Sequence, residues 1–342
     1  MGPTSASASV AAAFSSMPRR AAYDVFNGDA DGICALHQLR LAFPKQAELI
    51  TGVKRDVALL RRLPETGAFE VSVLDVSLDS NAAPLKRVLA AGGRVFYFDH
   101  HSAAQAFRHP RLHLFWDDAP QVCSAILVDR QLNGRHRAWA AVAAFGDNLA
   151  EVGRALAAQA GLDGAGAARL EELGLVLNYN AYGETVADLH MAPDALYRAL
   201  HEYVAPLDFV AAAPEYRRLL DGYRCDVAHM EGLAPLWRAD CGVIYLLPAQ
   251  PWARRVSGLL ANRLCAPGQA RSCAVLSENG DGSYVVSVRS AAPQTRPASV
   301  LCEGFPGGGG RRAAAGINRL PASQLEQFIT VFADYFGASV RA

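Results

Sequence analysis

Acidic and imidazole side chains recur along this chain just where short apolar runs end. "NGDADG" offers Asp29 and Asp31, "VLDVS" offers Asp75, and "FDHH" offers Asp99, His100 and His101. Further along, "AAFGDNLAE" sets Asp147 at the end of an apolar helical stretch. Carboxylates brought together repel one another and their pKa values rise, unless cations relieve the repulsion. Aspartate with histidine favours a borderline ion such as Mn²⁺ or Fe²⁺ over an all-oxygen Ca²⁺ site. Such ions can hold a phosphate and lower the pKa of a bound water from ~15.7 to ~7, which is the chemistry of phosphoester hydrolysis. Taken singly these signals are weak. Asp-x-Asp-Gly is more often a turn or a helix cap, Asp79 in "SLDSN" reads as an N-cap, and His37, His109, His113, His136, His190, His201 and His229 read as surface or core. Their order along the chain is what makes them a set.

The elements that must position these residues read as a parallel sheet. Residues 23–26, 48–53, 69–75 and 94–99 are β-branched or aromatic and read as strands. Between them, "GICALHQLRLAF" places Ile33, Leu36, Leu39 and Phe43 at helical spacing, and "NAAPLKRVLAAGG" is a helix stopped by Gly92 and Gly93. Strand–helix alternation implies parallel strands covered on both faces. Ligands of an open parallel sheet bind beyond the carboxyl ends of its strands, where neighbouring ends lie ~5 Å apart. The acids can therefore share one cleft.

The 342 residues exceed one ordinary domain of ~100–200 residues, which predicts two. The expected boundaries are a disordered Ala/Ser-rich leader over 1–20, an α/β domain over 21–205, a proline-punctuated connector over 206–238 and a smaller α/β domain over 239–342. In the last, residues 241–248, 272–277 and 284–290 read as strands, with the hairpin signal "ENGDG" between two of them. A helix is expected over 252–264 and a closing helix over 322–336. The composition is 51% hydrophobic and 19% charged with a net charge of +0, which advertises no long duplex partner. Seven scattered cysteines, never as Cys-x-x-Cys, disfavour a disulfide framework or zinc ribbon and fit a reducing cytoplasm. No apolar run approaches the ~20 residues of a membrane span.

With these residues in view, the chain resembles the DHH phosphoesterase superfamily. That group includes RecJ-type single-strand exonucleases, short oligoribonucleases that also act on 3′-phosphoadenosine 5′-phosphate, cyclic-dinucleotide phosphodiesterases and family II inorganic pyrophosphatases. "DADG", "LD", "DHH" and "GD" stand as its four motifs, and the match runs from "FNGDADG" to "RAAAG". The resemblance implies a parallel-sheet DHH domain followed by a smaller α/β DHH-associated domain, with the active cleft between them. It implies Asp29 on a first metal, Asp31 on a second and Asp75 bridging the two. His100 and Asp147 would complete the second site, His101 would be catalytic beside the cleft with Asp75, and Asp99 would orient a histidine. From the second domain, Arg289 of "SVRS" would contact phosphate or nucleotide, and Gly308, Gly309 and Gly310 would offer backbone N–H groups to an anionic substrate end.

Two departures from the family pattern stand out. Asn27 and Val25 occupy the positions where members carry a further first-metal ligand, and Asn27 can ligate only weakly, through a neutral oxygen. Arg311 stands where members carry the histidine of a Gly-Gly-Gly-His motif; arginine still suits phosphate, bidentately. The expected function is hydrolysis of phosphodiester or phosphomonoester bonds in short oligonucleotides, dinucleotides or 3′-phosphoadenosine 5′-phosphate, with one or two divalent ions, Mn²⁺ foremost. The alternatives are an inorganic pyro- or polyphosphate hydrolase and a non-catalytic nucleotide-binding regulator. No membrane or long duplex partner is expected, and the resemblance leaves room for a homodimer.

Overall fold

The computed structural model describes residues 21–265 and 271–337; the expected leader over 1–20 lies outside the described residues. The chain divides into two compact units. One comprises the residues up to 181 together with 185–220, the other 182–184 and the residues from 221 on.

The first unit is built on five parallel strands: β1 (Ala22–Phe26), β2 (Glu48–Ile50), β3 (Glu70–Leu74), β4 (Arg94–Asp99) and β5 (Leu112–Trp116), in the order β2-β1-β3-β4-β5. Chain direction across the sheet reverses at β1, so the carboxyl ends of β1 and β3 flank the switch point, the usual place for a ligand. The parallel arrangement expected from strand–helix alternation is what the structure has. β3 is buried at all its positions and β4 at all but its first, as strands covered on both faces must be. Val25, Val71, Val73, Val95 and Tyr97 face one layer, with Leu59, Leu60, Leu85 and Val88. The alternate residues Phe26, Phe96 and Phe98 are fully buried too; at ~1.5–3 kcal/mol each, such side chains carry much of the stability.

Helix α1 (Ala30–Ala42) is buried along its first eleven residues, polar ones included. Its Arg40 is buried because Asp24 and Ser72 meet it: Arg40 Nε donates to Asp24 Oδ2 at 2.7 Å and Nη2 to Ser72 Oγ at 2.8 Å. Helix α2 (Leu78–Ala90) follows β3 and is capped by Ser77, whose Oγ accepts from Ser80 N; Asp79 lies inside the first turn and accepts from Ala104 N and Gln105 N instead, which corrects its expected capping role. The rest of the unit is helical: α3 (Ser124–Gln131), α4 (Arg137–Gly146), α5 (Ala150–Gln159), α6 (Gly164–Tyr179), α7 (Pro193–His201) and α8 (Pro206–Ala212). β5 was not anticipated; it is a half-buried edge strand, Leu-His-Leu-Phe-Trp. Residues 51–53, expected to continue β2, have already left the sheet.

Helix α9 (Pro214–Glu231) carries the division between the units within its length. The second unit has a six-stranded mixed sheet: β6 (Trp237–Ala239), β7 (Gly242–Leu247), β8 (Ser272–Glu278), β9 (Tyr284–Arg289), β10 (Gly308–Gly310) and β11 (Ala314–Leu320), in the order β10-β11-β9-β8-β7-β6, with only β7 and β8 parallel. Helix α10 (Pro251–Leu264) packs on β8 and β9. Helices α11 (Ala298–Glu303) and α12 (Leu325–Gly337) bring Leu301, Phe328 and Phe332 into a core with Ile244, Leu276, Val286, Val288 and Ile317. Among the described residues, no helix is long and apolar enough to cross a membrane.

Candidate metal centre

After β1 the chain turns through Asn27 and Gly28 to Asp29, which caps α1: its Oδ1 accepts from Asp31 N at 3.0 Å and Gly32 N at 3.1 Å. The glycines of "NGDADG" are there for space. A Cβ at Gly32 would stand 2.2 Å from Asn27 O, and one at Gly28 2.1 Å from Gly52 O. Asp31, two residues on, reaches across to the start of α3. Both its oxygens are taken up by backbone amides, Ser124 N on Oδ2 and Ala125 N on Oδ1, each at 2.7 Å.

Asp75 follows β3 with φ of 57°, a left-handed conformation that aspartate tolerates better than most residues. Its N–H donates to Phe98 O at 3.0 Å, which pins the turn to β4. Its Oδ1 is buried with no hydrogen-bond partner. Asp147 closes α4 as its C-cap, and Asn148 beside it takes the left-handed φ of 61° that ends a helix.

His100 brings these acids together. Its Nε2 lies 3.4 Å from Asp75 Oδ1, 3.6 Å from Asp147 Oδ2 and 3.9 Å from Asp31 Oδ2. Single donor atoms of Asp31, His100 and Asp147 lie within 4.8 Å of one another, as do those of Asp75, His100 and His101. An unpaired buried carboxylate oxygen, an imidazole and two further carboxylates are a donor set fitting a divalent ion of the Mn²⁺ or Mg²⁺ kind. The electrostatics agree. Burial, then the charges of Asp29 and Asp31, push the Asp75 carboxyl well above its ordinary range; burial and Asp147 push Asp31 up. His101 is oriented by Asp99: its Nδ1 lies 2.7 Å from Asp99 Oδ1, while Asp99 Oδ2 accepts from Leu78 N at 3.1 Å. Burial lowers the His101 pKa, but the hydrogen bond and charge of Asp99 outweigh it and the net shift is upward.

The residue not anticipated from sequence is Lys54. Its Nζ forms an ion pair with Asp29 Oδ2, donates to Asn178 Oδ1 at 3.1 Å and lies 3.8 Å from Asp147 Oδ1. Burial would raise the Asp29 pKa, yet the ammonium beside it brings the net shift down. Lys54 N donates to Ala181 O at 2.9 Å and Lys54 O accepts from Asn27 Nδ2 at 3.2 Å. Asn27 is thus a clamp on the Lys54 backbone, while its Oδ1 is buried without a hydrogen-bond partner. Val25 lies in the core at 0% exposure and offers nothing to an ion.

The remaining predicted residues belong to the second unit. Arg289, at the end of β9, holds Asn262 Oδ1 with Nε and Nη2, each at 3.3 Å. Gly308, Gly309 and Gly310 form strand β10 on β11, rather than a free loop; Gly308 N already donates to Phe305 O. Arg311 is exposed at the turn, its N donating to Ala314 O at 2.8 Å. A second group, Cys225, Asp226 and His229 on α9, also clusters, but both Asp226 oxygens accept from Arg255, at 2.7 and 3.2 Å.

No family model matches the sequence, and no curated protein matches it. Solved structures do match in fold. A DHH-domain protein described as a member of a family of ribosomal proteins superposes with a TM-score of 0.60 at 14% identity, over 92% of this chain and 86% of that one. The exonuclease RecJ bound to manganese gives 0.59 at 18% identity, over 94% and 91%. The pGpG-specific phosphodiesterase PggH from Vibrio cholerae gives 0.51 at 13%, over 92% and 100%. At these identities the likeness is one of fold: the chain has the α/β fold of DHH-domain proteins.

Proposed function

We propose, with the DHH-type fold as premise, that the chain is a divalent-metal-dependent phosphoesterase acting on short nucleotidic substrates. The observation that carries this reading is the meeting of Asp31, Asp75, His100 and Asp147 at the carboxyl ends of the parallel strands. Those four residues would hold a divalent ion. When bound, such an ion supplies charge to a phosphoryl oxygen and acidifies water from ~15.7 toward ~7. Asp75 contributes the one buried carboxylate oxygen of this cluster that lacks a hydrogen bond, and its fixed backbone keeps that oxygen in place. His101 engages Asp99 through Nδ1; as the imidazolium, which Asp99 favours, it would donate from Nε2 to a phosphate or leaving-group oxygen. Arg289 and Arg311 are proposed as contacts for further phosphate or base, and β10 as a strand presenting backbone amides. Two of the matched solved structures are described as an exonuclease and a pGpG-specific phosphodiesterase, which supports a nucleotidic substrate class.

The test is turnover by purified protein with Mn²⁺ or Mg²⁺ on a panel of dinucleotides, short oligonucleotides, 3′-phosphoadenosine 5′-phosphate and pyrophosphate. Hydrolysis of a nucleotidic member, abolished in His100→Ala, is the expected result. Turnover of pyrophosphate alone would replace the substrate class. Nucleotide binding without product under every metal would favour a regulator, a reading that Lys54 among the acids gives some ground for.

A further inference from the structure

We propose that the Lys54 ammonium takes the place of the first of two cations, so that this centre loads one divalent ion. The inference rests on the metal-dependent reading above and narrows it. Asp29 is buried, 2% exposed, and its outward oxygen Oδ2 is occupied by Lys54. Its other oxygen is spent on the cap of α1. The two further positions that the resemblance gives this half of the site for ligands, 25 and 27, carry no charged side chain. Val25 is an aliphatic core residue, and Asn27 is neutral, with Nδ2 given to the Lys54 carbonyl and only its uncharged Oδ1 left without a hydrogen bond.

Lys54 is not a surface side chain that has fallen into an empty acidic pocket. Its main chain is fixed from both sides, by Ala181 O and Asn27 Nδ2, and its head is also held by Asn178 at the end of α6. Asp147 marks the division of labour. Its Oδ1 faces Lys54 at 3.8 Å and its Oδ2 faces His100 at 3.6 Å. The other half of the cluster has no lysine or arginine in an ion pair with Asp31 or Asp75 among the described residues, and it contains the unpartnered Asp75 oxygen. A dication drawn to Asp29 would have to share Oδ2 with the Lys54 ammonium or displace it, because Oδ1 is committed to the cap of α1. A dication brought next to an ammonium that already neutralises its main ligand meets repulsion where a vacant carboxylate would attract it.

The readout is metal stoichiometry, independent of turnover. Full-length protein stripped by chelator is dialysed against Mn²⁺, bound metal is counted by elemental analysis, and electron paramagnetic resonance distinguishes isolated from exchange-coupled ions. The expected result is one Mn²⁺ per chain with an uncoupled spectrum, and a second, coupled ion in Lys54→Met. Lys54→Gln serves as a second variant, and circular dichroism establishes that each is folded. Two ions in the unaltered protein overturn the inference while leaving the phosphoesterase reading intact. One ion in both folded variants also overturns it, because something other than Lys54 then excludes the second. No bound ion in the unaltered protein removes the metal-dependent reading itself. If neither variant folds, the stoichiometry of the unaltered protein decides.

Discussion

Asp75→Asn should separate the affinity of the centre from the stability of the fold. Asparagine keeps the shape and tolerates the left-handed backbone at this position, φ 57°, so only charge changes. Asp75 Oδ1 and Asp31 Oδ2 both lie within 4 Å of His100 Nε2, so they are no more than about 8 Å apart. Two unit charges at ~7 Å with an effective dielectric near ~20 repel by about 2 kcal/mol. Asp75 accepts no hydrogen bond on that oxygen that would offset the repulsion. In chelator, at a pH high enough to ionise the raised Asp75 and Asp31 carboxyls, the variant should therefore be more stable than the unaltered protein by about 2 kcal/mol, or about 4–8 °C in Tm for a domain of this size. With Mn²⁺ at ~100 times its Kd the unaltered protein should gain about 2.7 kcal/mol and the variant almost nothing. The order of melting temperatures thus inverts between the two buffers in scanning calorimetry. A variant less stable in chelator would refute the reasoning, since Asp75 would then be held by a favourable contact and not kept for a cation.

His37→Gln tests pH dependence. His37 is buried between His201 Nδ1 and Tyr203 O, each 3.0 Å away, with the Trp139 ring 4.5 Å off, and burial depresses its pKa from 6.5 to about 3. The folded protein therefore refuses a proton that the unfolded chain takes up below 6.5. Stability is full above that value and falls toward about pH 3, with about 2 kcal/mol lost by about pH 5; urea melts should show that loss shrink in the variant, and an unchanged loss would assign it elsewhere. Arg40→Met leaves Asp24 charged and buried and should cost ~3–5 kcal/mol in urea unfolding; a cost under ~1 kcal/mol would mean that Asp24 finds another partner. Gly32→Ala, with its Cβ 2.2 Å from the Asn27 carbonyl, should cost ~1–3 kcal/mol and weaken metal binding as the adjacent Asp31 is displaced; an unchanged Tm would contradict the packing at that turn. His101→Gln should slow turnover ~10²–10⁴-fold while bound metal per chain stays the same; lost metal would make His101 a ligand.

The acids and histidines at strand ends were legible because a parallel sheet has one active edge, and chain order puts Asp29, Asp31, Asp75 and His100 on it; Asp147, at the end of helix α4, was legible only from the apolar stretch it closes and through the resemblance. Lys54 was not legible. It sits in "TGVKRD", just past residues 48–53 that read as a strand, and its contact with Asp29 depends on where the chain goes after β2 and on Asn27 and Asn178 holding it. Asn27 read as a weak ligand through its oxygen; its Nδ2 serves the Lys54 carbonyl, and its Oδ1 has no hydrogen-bond partner. β5 escaped notice although Leu112, Leu114, Phe115 and Trp116 are apolar, because five residues with one polar position carry little periodicity. β10 escaped because three glycines carry no side-chain pattern; only pairing with β11 makes them a strand. Asp79 resembled a cap by residue type, but Ser77 reaches Ser80 N and leaves Asp79 to order the 104–105 turn.

The bonds from Asp31 to the amides of Ser124 and Ala125 span more than ninety positions of chain. During synthesis, a ribosome that has released the first four strands has exposed most of the acids but neither α3 nor Asp147. Until those later segments emerge and dock, Asp31 has nothing to hold its carboxylate still and the cluster lacks a member. The growing polypeptide is thus a poor chelator until Asp147 has emerged, and its capacity to capture an ion arrives only once the first sheet and the helices around it have closed.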